Sequence, residues 1–153
     1  MAQALVIPML ESGLLQRSEL IASVASVGSA QELSRSLDCR VGTDPCLCLE
    51  ADELLLALKP QQLDGLIHQL GGSSAIAAAA QRAGEPPLLI SVLAGVSLQR
   101  LEQSFPGWQV VRTVPNTPAL VRQGLVGLSY GEGVTAQQRG RVQQLFGGVG
   151  EVL

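Results

Sequence analysis

Three short segments of the chain carry residues suited to holding a flat, polar ligand: Ala57-Leu58-Lys59-Pro60-Gln61, Leu93-Ala94-Gly95 and Val114-Pro115-Asn116-Thr117-Pro118. Ala94-Gly95 removes side-chain bulk, so a ring can come close to the backbone. Lys59 offers a cation, and Pro60 fixes the turn behind it. Asn116 brings one pair of donors and one acceptor. Pro118 suits the first position of a helix, leaving the N–H groups of Ala119 and Leu120 free to meet an anion or a carbonyl. The alternative is that proline and glycine only punctuate strand ends. Three such ends on successive strands favour a shared binding edge. Other chemistry finds little support. Cys39, Cys46 and Cys48 are an odd set, with the single His68 far along the chain, whereas a zinc site needs four ligands at tight spacing. They read as small reduced side chains, and His68 as the polar side of a helix. There is no Ser/His/Asp set and no carboxylate pair at fixed spacing. The missing acid and base argue against hydrolysis and permit hydride transfer, where a cofactor carries the chemistry and the protein orients it.

Bulk properties narrow the class. A length of 153 residues suits one domain with a real core. At 46% hydrophobic and 15% charged, the chain is too apolar to be disordered. With 10 basic against 13 acidic residues it lacks the excess of cations that binding to nucleic acid by field alone requires. No apolar run reaches the ~18–20 residues that span a bilayer. The start lacks a basic n-region, so no signal peptide is expected. A soluble, intracellular, aliphatic-rich domain is the expectation.

The elements that must position these segments alternate. Ala4 to Leu15 predicts a helix that Pro8 must bend, or that starts a few residues earlier. Glu19–Ala25 predicts a strand, Ser29–Leu37 a helix with a serine cap, and Arg40–Gly42 a short strand. Asp44 caps a further helix with Pro45 at its first position. The continuous apolar run Glu53–Leu58 suits a strand covered on both faces. Gln61–Leu70 is an amphipathic helix with Leu63, Leu66, Ile67 and Leu70 on one side. Ala75–Ala83 reads as a short alanine helix, or alternatively as a flexible linker. Leu88–Leu93 is a second buried strand, Ser97–Ser104 a helix, Gln109–Val114 a third strand, Leu125–Tyr130 another, Thr135–Phe146 a helix and Glu151–Leu153 the opening of a strand. This alternation predicts a doubly wound α/β sheet whose ligands sit at the carboxyl ends of the strands. The Gly-x-Gly-x-x-Gly turn of a dinucleotide fold is not found. Gly147-Gly148-Val149-Gly150 follows a helix and leads into a strand, the wrong order for a phosphate loop.

The same segments resemble the pyrroline-5-carboxylate reductases. Met1-Ala2-Gln3-Ala4-Leu5 is similar to the end of the family's Gly-Asn-Met-Ala motif. Leu56 to Gln61 resembles its Ala-Val-Lys-Pro strand end, and Ile90 to Val96 its Ser-x-x-Ala-Gly segment. Val111-Arg112-Thr113-Val114-Pro115-Asn116-Thr117-Pro118-Ala119-Leu120-Val121 resembles its Arg-x-Met-Pro-Asn-Thr-Pro-Ala-Leu-Val signature. The resemblance covers nearly the whole chain. It implies reduction of the cyclic imine 1-pyrroline-5-carboxylate to L-proline with NADPH or NADH, in the cytoplasm, by a homo-oligomer with a second, helical domain. It places Ala57, Leu58, Lys59, Pro60, Val92, Leu93, Ala94 and Pro115 at the cofactor, and Asn116 and Thr117 beside the nicotinamide.

The chain departs from that pattern as well. It implies a Rossmann-like NAD(P)-binding domain, residues 1–153, lacking the first strand and glycine-rich turn before Met1 and the helical domain after Leu153. Pro45 stands where the family often has an asparagine. Ser26-Val27-Gly28-Ser29 offers no arginine to a 2′-phosphate. The expectation is that this chain is inactive alone, with a central sheet position open between two unpaired backbone edges. The alternatives are half of another dehydrogenase of the same fold and a non-catalytic module.

Overall fold

The computed structural model describes residues 2–82, 84–115 and 124–153. Within them the order is α1 (Ala2–Glu11), β1 (Ile21–Ser23), α2 (Val27–Leu37), β2 (Arg40–Gly42), β3 (Glu53–Leu56), α3 (Leu63–Gln69), α4 (Gly72–Ala80), β4 (Leu88–Ser91), α5 (Leu98–Ser104), β5 (Gln109–Pro115), β6 (Gly124–Tyr130), α6 (Ala136–Gly147) and β7 (Gly150–Val152), with short 3-10 helices at Arg17–Glu19, Pro45–Glu50 and Pro60–Gln62.

The leucine and valine runs are central strands because both of their faces are covered. Leu89 and Val110 pack with Leu101, Phe105 and Trp108 of the α3–α5 layer. Leu88, Ile90 and Val111 pack with Leu5 and Met9 of α1 and Phe146 of α6. Every residue of β4 is buried. Helices therefore cover both sides of the sheet, as the alternation predicts. The strands form two pieces. One is the parallel pair β1-β2, and the other runs β3-β4-β5-β6-β7. All neighbours are parallel except β5 and β6.

Several boundaries differ from the sequence expectation for local reasons. Pro8 sits inside α1 and costs the Ala4 carbonyl its helical partner. The helix persists because Leu5 and Met9 anchor it in the core. It stops at Glu11, short of Leu15: Gly13 takes φ +76°, and the N–H groups of Leu14 and Leu15 both donate to the Met9 carbonyl. The first strand shrinks to Ile21–Ser23 because Arg17–Glu19 turns ahead of it. Ser26, not Ser29, caps α2, its Oγ accepting the Ser29 N–H at 3.2 Å. Asp44 does cap the turn that Pro45 opens, accepting from Cys46 N–H at 3.0 Å, but the element is a 3-10 helix. The alanine run is helical over Gly72–Ala80 and not a linker. Thr135 caps α6 in a reciprocal box with Gln138, whose Nε2 also donates to the Pro86 carbonyl.

Candidate functional site

The tips of β3, β4 and β5 are level. Leu56 is in register with Ser91, and Ser91 with Arg112. Parallel pairing then sends Ala57–Pro60, Val92–Gly95 and Thr113–Pro115 out of the same end of the sheet. Lys59 and Ala94 are exposed there, Ala57, Leu58, Pro60, Val92 and Pro115 are half-buried, and Leu93 is turned into the core. Leu93 thus has only its backbone to offer a ligand. Pro115 closes β5 opposite Val126 of β6. Asn116 and Thr117, with Pro118 to Val121, lie outside the described residues.

The tip of β4 is built by residues that the candidate set did not include. The buried Ser91 Oγ accepts the Leu93 N–H at 3.3 Å, and the buried Thr113 Oγ1 donates to the Ser91 carbonyl at 3.2 Å. Arg112 Nε donates to the Val96 carbonyl at 2.8 Å, tying the loop after β4 to the β5 strand beside it. The signal for Ser91 and Thr113 is a hydroxyl in an otherwise aliphatic strand, where a buried polar group needs a partner. Arg100 of α5 pairs with Asp64 of α3, joining the helices that follow the β3 and β4 tips. Lys59 N–H donates to Gln62 Oε1 at 3.1 Å, which shapes the backbone turn behind the lysine.

Gly95 has φ +72°, and a Cβ there would meet nothing within 4 Å. The glycine is therefore kept for its backbone. Gly95→Ala is expected to destabilise the chain by roughly 1–2 kcal/mol, the strain of a left-handed alanine. A urea melt checks this, and an unchanged midpoint would show that the turn relaxes. With Ala57 and Ala94 at neighbouring tips, the edge is low enough for a flat ring. Its residues fit a nicotinamide nucleotide in that respect.

The other chemistry-bearing groups stand elsewhere. His68 is exposed on α3. The three cysteines are free thiols, and among the described residues no His/Cys/Asp/Glu group could hold a metal. Burial raises the Cys39 thiol against the lowering pull of Arg17, and burial together with Asp44 raises Cys48. Desolvation and the Asp44 carboxylate also raise Cys46. A raised thiol holds less thiolate at neutral pH, so accessibility decides reactivity. Iodoacetamide is expected to label the exposed Cys46 first, and peptide mapping reads the order. A groove of about 580 Å³ lies between α2 and the end of β2, lined by Val27, Ser34, Arg35 and Thr43 among others. No helix among the described residues is long and apolar enough to cross a membrane.

Helices on both faces of the β3–β5 sheet and the parallel run of β3, β4 and β5 define a Rossmann-like NAD(P)-binding domain. The chain is homologous along its whole length to the pyrroline-5-carboxylate reductases. It is 32% identical over 154 aligned positions to a pyrroline-5-carboxylate reductase of Synechocystis sp., a match that takes in all of this chain and 54% of the relative. The structure of a pyrroline-5-carboxylate reductase from Coxiella burnetii superposes with a TM-score of 0.85 at 24% identity, over 99% of this chain and 54% of that one. The Plasmodium falciparum pyrroline carboxylate reductase with NADP bound superposes with a TM-score of 0.76 at 18% identity, over 99% and 52%. The chain spans about half the length of the curated relatives it matches. No family model matches it.

Proposed function

We propose that residues 1–153 are the nucleotide-binding part of a pyrroline-5-carboxylate reductase, an NADPH- or NADH-dependent enzyme of proline synthesis. The observation that carries this reading is the 32% identity to the Synechocystis enzyme along the entire chain. The level tips of β3, β4 and β5 support the placement of the cofactor. Ala57, Leu58, Lys59 and Pro60 would line one side of the nucleotide, Val92, Leu93 and Ala94 the middle, and Pro115 the far side. When bound, the reduced nicotinamide supplies a hydride to the imine carbon of 1-pyrroline-5-carboxylate.

The chain's own part is orientation. Ala94 and Gly95 let the ring lie against backbone, and the Ser91, Thr113 and Arg112 bonds hold that backbone still. Asn116 and Thr117 would border the ring where the imine arrives. The whole protein would be a cytoplasmic homo-oligomer with a further helical domain and a small-molecule substrate, with no part for nucleic acid or membrane.

A chimera tests this. Residues 2–153 would replace the matching half of the Synechocystis enzyme, and NADPH-dependent proline formation would be followed. Activity, reduced at least tenfold by Asn116→Ala (about 1.4 kcal/mol or more), is the expected result. A folded chimera that binds no nucleotide would overturn the assignment, and a rate indifferent to Asn116→Ala would remove that residue from the site.

A further inference from the structure

Arg112 is held differently from the other arginines that lie partly inside the fold. Arg82 is paired with Asp52 and Arg141 with Glu53, and the exposed Arg100 is paired with Asp64. Arg112 is half-buried, yet among the described residues no carboxylate is within ion-pair distance of it. Residues 116–123 contain no Asp or Glu that could serve. Glu102, on the neighbouring α5, lies against Gly131 instead. The Arg112 Nε donates to the Val96 carbonyl at 2.8 Å. A neutral amide could make that bond equally well. The charge is an addition, and a charge drawn out of water without a counter-ion is costly.

The strand register says where that charge stands. Ser91 is paired with Arg112, as Leu89 is with Val110. Side chains alternate between the two faces of a sheet, and Leu89 and Val110 face the α3–α5 layer. Arg112 therefore projects to the same side, under the loop that runs from the β4 tip to the Ser97 cap of α5. Val96 follows Ala94 by two residues, and its carbonyl holds the guanidinium. A flat ring resting on the Ala94-Gly95 backbone would thus lie within roughly 15 Å of the Arg112 charge.

At that ring the two forms of a nicotinamide nucleotide differ by one charge. The oxidised ring is a cation and the reduced ring is neutral. Phosphates, riboses and adenine are common to both, so contacts with them cancel when the two forms are compared. Among the other described cations at the tips, Arg100 is neutralised by Asp64, and Lys59 is exposed, where water and salt screen it. Arg112 is the unneutralised charge set back from solvent.

On the reading that these tips hold the nicotinamide, we propose that Arg112 selects its oxidation state. The guanidinium disfavours the oxidised ring, so the tips hold the reduced nucleotide more tightly than the oxidised one. A unit charge at about 15 Å, in surroundings of effective dielectric constant ~20–40, changes the relative affinity by roughly two- to sixfold. A chain built in this way takes up the reduced form and lets the oxidised form go, which suits a reductase.

The test compares the unchanged chain with Arg112→Gln and Arg112→Lys. Glutamine Nε2 stands as many bonds from Cα as arginine Nε does, so Arg112→Gln keeps a donor for the Val96 carbonyl and removes the charge. Each chain is titrated with NADPH and with NADP+ at low ionic strength, and NMR shifts of the amides at Ala57–Lys59 and Val92–Gly95 give the two dissociation constants. The ratio of the NADP+ constant to the NADPH constant is expected to fall by roughly two- to sixfold in Arg112→Gln and to stay within about 1.5-fold in Arg112→Lys. A residue that only holds the loop would weaken both forms alike, and an unchanged ratio in Arg112→Gln would overturn the proposal. So would a ratio lowered as much by lysine as by glutamine. If neither nucleotide moves those amides in the unchanged chain, the nucleotide edge itself is wrong and the proposal falls with it.

Discussion

Truncating Leu89 to alanine is expected to lower the unfolding free energy by about 2–5 kcal/mol, and truncating Ile90 by a comparable amount. The two residues are neighbours on β4 but point to opposite layers. Leu89 is 0% exposed and packs with Leu101, Phe105 and Trp108, whereas Ile90 is 3% exposed and packs with Val111 and Phe146. In a one-sided sheet, one of two successive positions faces water and tolerates alanine. Here each deletion leaves a cavity against a different set of helices. Urea melts of the two variants measure the effect. A loss under ~1 kcal/mol at either position would mean that one helix layer is not packed on the sheet, and the doubly wound account of the domain would fail.

The second large effect is expected at Arg82. Its guanidinium donates to the carbonyls of Leu49 and Ala79, both at 2.9 Å, and of Ala51 at 3.1 Å, and it lies 5.8 Å from the centre of the Trp108 ring. These carbonyls close the Pro45–Glu50 turn and the end of α4, where helical carbonyls run out of partners. One side chain thus ties the approach to β3 to the α4 end and the core tryptophan. Its ion pair with Asp52 is of minor worth, since that carboxylate is almost fully exposed. Arg82→Ala is expected to cost about 2–3 kcal/mol, from charge-assisted bonds lost to half-buried carbonyls. Arg82→Lys should restore only part of this, because an ammonium cannot span the fork. Full recovery with lysine would show that charge alone matters there.

What could be read in the sequence was chiefly local. Asp44-Pro45 and Thr135 announce their turns through side chains that bond the next few amides, so neighbouring residues suffice. Leu88–Ser91 and Glu53–Leu56 announce burial on both faces by lacking any polar alternation. The level strand tips follow from these runs once the sheet is parallel. Partner choice was not legible. Leu125–Tyr130 reads as a strand, but periodicity has no sign, so it does not carry the antiparallel pairing with β5. Two serines three residues apart can each cap α2, and only the folded start of the helix selects Ser26. Arg82 lies within the alanine segment Ala75–Ala83, and nothing near it in the sequence marks a role. Its carbonyl partners at Leu49 and Ala51 lie some thirty residues away along the chain. Likewise Ser91, Thr113 and Arg112 acquire their role at the site only through contacts across strands.

The central claim is that the tips of β3, β4 and β5 form one nucleotide edge. Titrating the isotope-labelled chain with NADPH to millimolar concentration, while following its backbone amides by NMR, tests it most directly. The account predicts saturable shifts concentrated at Ala57–Lys59 and Val92–Gly95. Unmoved amides at both tips, or shifts confined to the groove between α2 and β2, would contradict it.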